Sequence, residues 1–202
     1  MKRRLLLCGE IGCGKSTLIK NALGAEAKNA GGFITQRRFD ENGALAGFVL
    51  LPAAALAGGN FEEREFLRFS AGGTRRFEGV FERDAARLLR EAREKPFALL
   101  DELGGFELLI PEFYAALSAL LESGTPCVGV LKSPPAAAEL KRRVALPEGY
   151  LAAAEALRAR LASDGDTLLL QTTGRHDTAA ERALGAWVCE YAKGQKRYVG
   201  NI

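Results

Sequence analysis

A chain of 202 residues, 48% hydrophobic and 26% charged, is long enough to bury a full core as one domain. Its formal net charge of +3 argues against a broad nucleic-acid surface, and no apolar run approaches the length of a membrane span. Four scattered cysteines, Cys8, Cys13, Cys127 and Cys189, form no CxxC pair and read as reduced thiols rather than a disulfide framework or a metal set.

The opening "MKRRLLLCGE" is basic, but only four apolar residues precede Gly9, too few for a secretory signal, so a cytoplasmic protein is expected. Leu5–Cys8 reads as a short buried strand and Lys15–Leu23 as a helix ending near Gly24. "GGFITQRRF" and "ALAGFVLL" flank the turn residues "DENG", which predicts a β-hairpin over about residues 32–51. "PAAALAGGN" is expected to be a turn or surface loop, and "FEEREFLRFSAGGTRRFEG" one more strand with a glycine-rich turn. "RDAARLLREAREK" has helical periodicity and stops before Pro96.

Then "FALLDELGG" reads as strand and loop, "PEFYAALSALLES" as helix and "TPCVGVL" as strand. "SPPAAAELKRRVA" starts a helix whose two prolines pre-set the first turn. "YLAAAEALRARLAS" is a further helix, "DTLLLQTT" a strand, and "DTAAERALGAWVCEYAK" a last helix with Asp177 as N-cap. Strands that are apolar throughout, alternating with helices, are expected where helices cover both faces of a parallel sheet. The expectation is a three-layer α/β fold, its sheet mostly parallel, with the amino-terminal hairpin adding antiparallel strands. Ligands belong beyond the carboxyl ends of the parallel strands.

At the end of the first strand stands "GEIGCGKST", with the spacing Gly9-x-x-x-x-Gly14-Lys15-Ser16. Glycines at 9, 12 and 14 let a backbone turn sharply and approach an anion without a Cβ in the way. The helix that follows aims its N–H groups and dipole at the same spot. Lys15 supplies a cation for β- and γ-phosphates, and the Ser16 hydroxyl is a ligand for Mg²⁺. Strand before and helix after are the context the motif requires, so Gly9, Glu10, Ile11, Gly12, Cys13, Gly14, Lys15, Ser16 and Thr17 are read as a nucleotide-binding loop. Cys13, near a helix N-terminus, is a candidate for alkylation that bound nucleotide protects.

The apolar strand Phe97–Leu100 ends in Asp101 and Glu102. Asp101 fits the acidic residue on the Mg²⁺ side, and Glu102 is placed to orient and activate water for attack on a γ-phosphate. Glu107, past a double glycine, is either a supporting carboxylate or the solvated start of the next helix. "DELG" also satisfies the DxxG pattern of GTPases, but no NKxD-type motif follows a later strand; "VLKSPP" is the nearest and does not match.

With these motifs in view the chain resembles the THEP1-type nucleoside-triphosphatases, a family of P-loop NTPases. The resemblance runs through "GEIGCGKSTLI", "GGFITQRR…GALAGFVLL", "FEGVFERDA", "ALLDELGGFEL", "PEFYAALSALL", "PCVGVL" and "TLLLQTTGRHD", and is thin over 52–76 and 133–163. It implies one P-loop NTPase domain over residues 1–202, with the hairpin region at about 32–78 as an insertion. The implied activity is hydrolysis of ATP, GTP and other nucleoside triphosphates to diphosphate and phosphate, with Mg²⁺ and loose base preference. The family's phosphate-loop residues carry over to Gly9, Gly12, Gly14, Lys15 and Ser16, and its acidic strand end to Asp101, Glu102 and Glu107. Three departures stand out. Phe106 replaces a methionine usual in the family, Arg175-His176-Asp177 stands where Asn-Arg-Asp is usual, and Gln36-Arg37-Arg38 replaces acidic hairpin residues.

Arg37 and Arg38 are either in-chain arginine fingers or a solvated hairpin flank, and Arg175 either a nucleotide contact or a surface ion pair. His176 is expected to be exposed, and Lys141-Arg142-Arg143 to be a helix face, with no aromatic platform for a nucleic acid. Two alternatives to hydrolysis remain: a kinase for a nucleoside or other small acceptor, with "LKRRVALPEGY" as the one stretch resembling a lid, or a nucleotide-dependent switch with slow turnover.

Overall fold

The computed structural model describes residues 1–193. Eight strands form one sheet: β1 (Arg4–Cys8), β2 (Ala30–Phe39), β3 (Leu45–Pro52), β4 (Arg64–Ser70), β5 (Gly73–Arg76), β6 (Phe97–Leu103), β7 (Cys127–Leu131) and β8 (Thr167–Gln171). Their order is β5-β4-β3-β2-β6-β7-β1-β8. From β2 to β8 every neighbouring pair is parallel, whereas β3, β4 and β5 extend the β2 edge as an antiparallel meander. The sheet is therefore mostly parallel with an antiparallel wing, and the first hairpin strand, β2, belongs to both parts.

Helices are α1 (Lys15–Leu23), α2 (Ala86–Ala92), α3 (Pro111–Glu122), α4 (Pro134–Val144), α5 (Gly149–Ser163) and α6 (Thr178–Trp187). Period-two alternation sorts the strand residues between two cores. Leu5, Leu7, Phe97 and Leu99 face a core shared with Leu18 and Ile19 of α1 and Leu184 and Trp187 of α6. Leu6, Cys8, Ala98 and Leu100 face the other, filled from α2 to α5 by Leu89, Phe113, Leu117, Tyr150 and Leu157. Helices thus cover both faces of the parallel strands, which is why β1 and β7 are buried at every position. Strand β8 is the exception: as the sheet edge it leaves Leu168 exposed.

The turn expected after β3 is a 3₁₀ turn over Ala53–Ala57, with Ala53 buried against the sheet. The segment that follows differs from its sequence expectation of a single strand. Residues 61–79 give two strands, β4 and β5, paired around the tight turn at Ser70–Gly73. A π-type turn over Val80–Ala85 leads into α2, and a second, Val188–Ala192, continues α6. At helix starts the capping residues act as their chemistry dictates. The Asp177 carboxylate accepts the N–H groups of Ala179 and Ala180, and Ser133 caps the proline-led α4.

Candidate active site

The glycine-rich segment leaves β1 and enters α1 at the carboxyl end of the parallel strands. Gly14 holds φ at +100°, and a Cβ there would lie 2.3 Å from Arg175 Cγ, so only glycine lets the loop and the segment after β8 meet. At Gly9 a Cβ would come within 2.5 Å of the Thr172 carbonyl oxygen, which ties the same two segments together one turn earlier. Lys15 is buried; its Nζ donates to the carbonyl oxygens of Gly9 (3.1 Å) and Glu10 (2.6 Å) and lies 3.6 Å from Cys13 Sγ. The ammonium is thus curled over the loop it belongs to.

Asp101 reaches this loop from β6, two places away in the sheet with β7 between. Ser16 Oγ donates to Asp101 Oδ1 at 3.0 Å, while the Thr35 backbone N–H (3.3 Å) and hydroxyl (3.4 Å) donate to Oδ2. Burial pushes the Asp101 carboxyl up to about 6, with the Glu102 charge adding to the rise and the Ser16 and Thr35 hydrogen bonds opposing it.

Strand β6 does not stop at Leu100 but continues through Asp101 and Glu102 to Leu103. Against β7 its register passes from Leu100↔Gly129 to Leu103↔Leu131, three residues against two, which is a β-bulge. Within the bulge Glu102 has φ +60°, a left-handed conformation unusual for a side chain with a Cβ. In a regular strand neighbouring side chains point to opposite faces. Here the bulge brings Asp101 and Glu102 to the same cavity. Glu102 pairs with Lys132, the residue after β7. Burial would raise the Glu102 carboxyl, but attraction and hydrogen bonding from Lys132, aided by Lys15 and Arg37, hold it below the usual carboxylate range.

The cavity so enclosed is about 290 Å³. Gly12, Gly14, Lys15, Ser16 and Thr17 line it, facing Asp101 and Glu102. Arg37 and Arg175 complete it, one from β2 and one from the segment after β8. Other sequence candidates lie elsewhere. Gly9 and Ile11 border a neighbouring cavity, and Glu10 and Cys13 contribute through Lys15. Arg38, one residue along β2 from Arg37, is exposed and its charge acts on Glu65. Glu107 is away from the phosphate cavity: its buried carboxylate accepts the N–H groups of Gly104 (2.9 Å) and Gly105 (2.7 Å) and fixes the loop after β6. His176 is exposed, and Lys141, Arg142 and Arg143 form a solvent-facing helix segment paired with Glu139 and Glu148.

Three contributors were not singled out from the sequence. Thr35 follows from alternation, since it shares the Arg37 face of β2. Lys132 has a weak signal as a lone cation directly after an apolar strand. Tyr150, whose O–H donates to the Gly104 carbonyl at 2.7 Å, has none.

A glycine loop between strand and helix, with a strand carboxylate hydrogen-bonded to its serine, defines a P-loop nucleotide-binding protein of the α/β class. The chain belongs to the THEP1-type P-loop NTPase family: a family model described as NTPase matches residues 4–147. Neither the curated proteins nor the solved structures gave a match. The matched span includes the loop, Thr35, Asp101, Glu102 and Lys132, while Arg175 lies beyond it. Membership supports nucleoside-triphosphatase activity and a nucleotide substrate. Among the described residues no helix is long and apolar enough to cross a membrane.

Proposed function

We propose that this protein hydrolyses nucleoside triphosphates to the diphosphate and inorganic phosphate, with Mg²⁺ as cofactor and broad base preference. The observation that carries the reading is the 3.0 Å contact between Ser16 Oγ and Asp101 Oδ1, in a cavity that also contains Lys15 and Glu102. The broad base preference rests on the family resemblance alone.

One hydroxyl and one buried carboxylate suit Mg²⁺, a hard cation that keeps several waters and takes few protein ligands besides substrate phosphates. Ser16 and Asp101 are the residues that would hold it. When bound, the ion would neutralise charge on the β- and γ-phosphate oxygens. The loop N–H groups and the start of α1 receive the phosphate chain. Lys15 turns from the Gly9 and Glu10 carbonyls to the phosphate oxygens, where its charge stabilises the transferred phosphoryl group. Glu102, kept ionised by Lys132, accepts the proton of the attacking water as its oxygen bonds to the γ-phosphorus and the bond to the bridging oxygen breaks. Arg37 and Arg175 add positive charge at the rim of the same cavity.

The test is phosphate release from ATP, GTP, CTP and UTP with and without Mg²⁺, by wild type and Glu102→Gln. Release from all four that requires the ion and falls about 10²–10⁴-fold in the variant is expected. An unchanged rate in Glu102→Gln would remove its assignment as the base.

A further inference from the structure

A second cavity of about 140 Å³ adjoins the phosphate cavity and shares Lys15, Arg37, Phe48 and Glu102 with it. Its wall is apolar. Ala136, Leu140 and Val144 recur every four residues and so form one row along α4. Leu45, Phe48 and Phe69 close it from the antiparallel wing. A water nucleophile needs no such chamber. Its volume is close to the room that one aromatic ring occupies in a protein interior.

The charges at its rim are balanced in pairs. Glu102 is paired with Lys132, and Glu139 with Arg143 at 2.6 Å. Lys15 and Arg37 face the phosphate cavity as well, where a polyphosphate would engage them. What is left suits a neutral occupant with an apolar body, and the one group at the junction of both cavities that can accept a proton is Glu102. Ligand pockets commonly have this composition, mostly hydrophobic with a few placed polar groups.

We propose that this cavity binds a small neutral arylalkyl alcohol, which competes with water as acceptor of the γ-phosphoryl group. The inference rests on the hydrolase reading of the adjoining site. The alcohol O–H gives its proton to the Glu102 carboxylate while its oxygen bonds to the γ-phosphorus. The bond from that phosphorus to the β–γ bridging oxygen breaks, and the products are a nucleoside diphosphate and a phosphate monoester. No oxidant or reductant is involved.

Benzyl alcohol is the probe. With ATP and Mg²⁺, ³¹P NMR should show benzyl phosphate beside inorganic phosphate. Saturation-transfer NMR should show the alcohol bound in the presence of a non-hydrolysable ATP analogue. Leu140→Trp, which fills the chamber, and Ala136→Phe, a second filling variant one helical turn away, should each reduce ester formation and the saturation signal. The expected loss is about tenfold or more, with phosphate release in the absence of alcohol kept within about twofold. Inorganic phosphate as the only product, or an ester yield in both filling variants equal to that of the wild type, would overturn the proposal. If the wild type released no phosphate from any triphosphate, the hydrolase reading would fail instead, and the saturation signal would still decide whether the chamber binds the alcohol.

Discussion

Replacing Asp101 by asparagine isolates the cost of keeping a carboxylate buried beside the phosphate loop. In the folded protein burial raises the Asp101 carboxyl from an ordinary 3.8 to about 6. The folded form therefore binds this proton more tightly than the unfolded chain does. The resulting stability is fully present below 3.8 and is lost as pH rises through about 6. A difference of roughly two pKa units corresponds to about 3 kcal/mol. An asparagine keeps the shape, accepts the Thr35 N–H through its oxygen and offers its NH₂ to Ser16 Oγ, but carries no charge. Urea unfolding of both proteins between about pH 4 and 8, with metal chelated, gives the difference curve, in which the contributions of titrating groups not coupled to Asp101 cancel. Relative to Asp101→Asn, the wild type should lose about 2–3 kcal/mol of stability over that range. A difference curve flat with pH would refute the reasoning, because it would mean that Asp101 titrates alike in the folded and unfolded states.

Removing the cation from Glu102 by Lys132→Met should raise the pKa of that carboxyl. The acid limb of phosphate release should move to higher pH, whereas Lys132→Arg keeps it in place; identical pH profiles would exclude Lys132 as the residue that holds Glu102 ionised. At Gly14 a methyl group meets Arg175 Cγ at 2.3 Å with φ at +100°. Gly14→Ala should accordingly cost about 1–3 kcal/mol in chemical denaturation and weaken nucleotide binding. Tyr150→Phe removes the hydroxyl that donates to the buried Gly104 carbonyl. It should lower stability by about 1–3 kcal/mol and reduce turnover by loosening the loop behind Glu102; normal stability would show that this bond has no role in the fold.

Much of this architecture was legible because its signals are local. The loop is written in consecutive residues from Gly9 to Ser16, and β1, β7 and most helices announce themselves by apolar runs, proline starts and caps. The position of Asp101 was legible for the same reason, because the apolar run and the carboxylate that follows it are consecutive in the chain. What escaped depends on pairing across the sheet. The extension of β6 past Leu100 is a bulge against β7, and no pattern within "FALLDELGG" encodes the residue count of its partner. Lys132 acquires its role from lying beside that bulge. Arg37 and Arg38 were indistinguishable as a dipeptide, and strand alternation separates them, with Arg37 at the cavity and Arg38 outside it. For Glu107 the sequence left a supporting carboxylate and a solvated helix start open, and the fold makes it the buried acceptor of two loop N–H groups.

The most direct measurement of the central claim is titration calorimetry of the purified protein with Mg²⁺ and a non-hydrolysable ATP analogue, for wild type and Lys15→Ala side by side. A single site in the wild type that loses at least about 100-fold in affinity in the variant is the predicted result. Equal binding by both proteins, or no heat from the wild type, would contradict a polyphosphate held by this loop and its lysine.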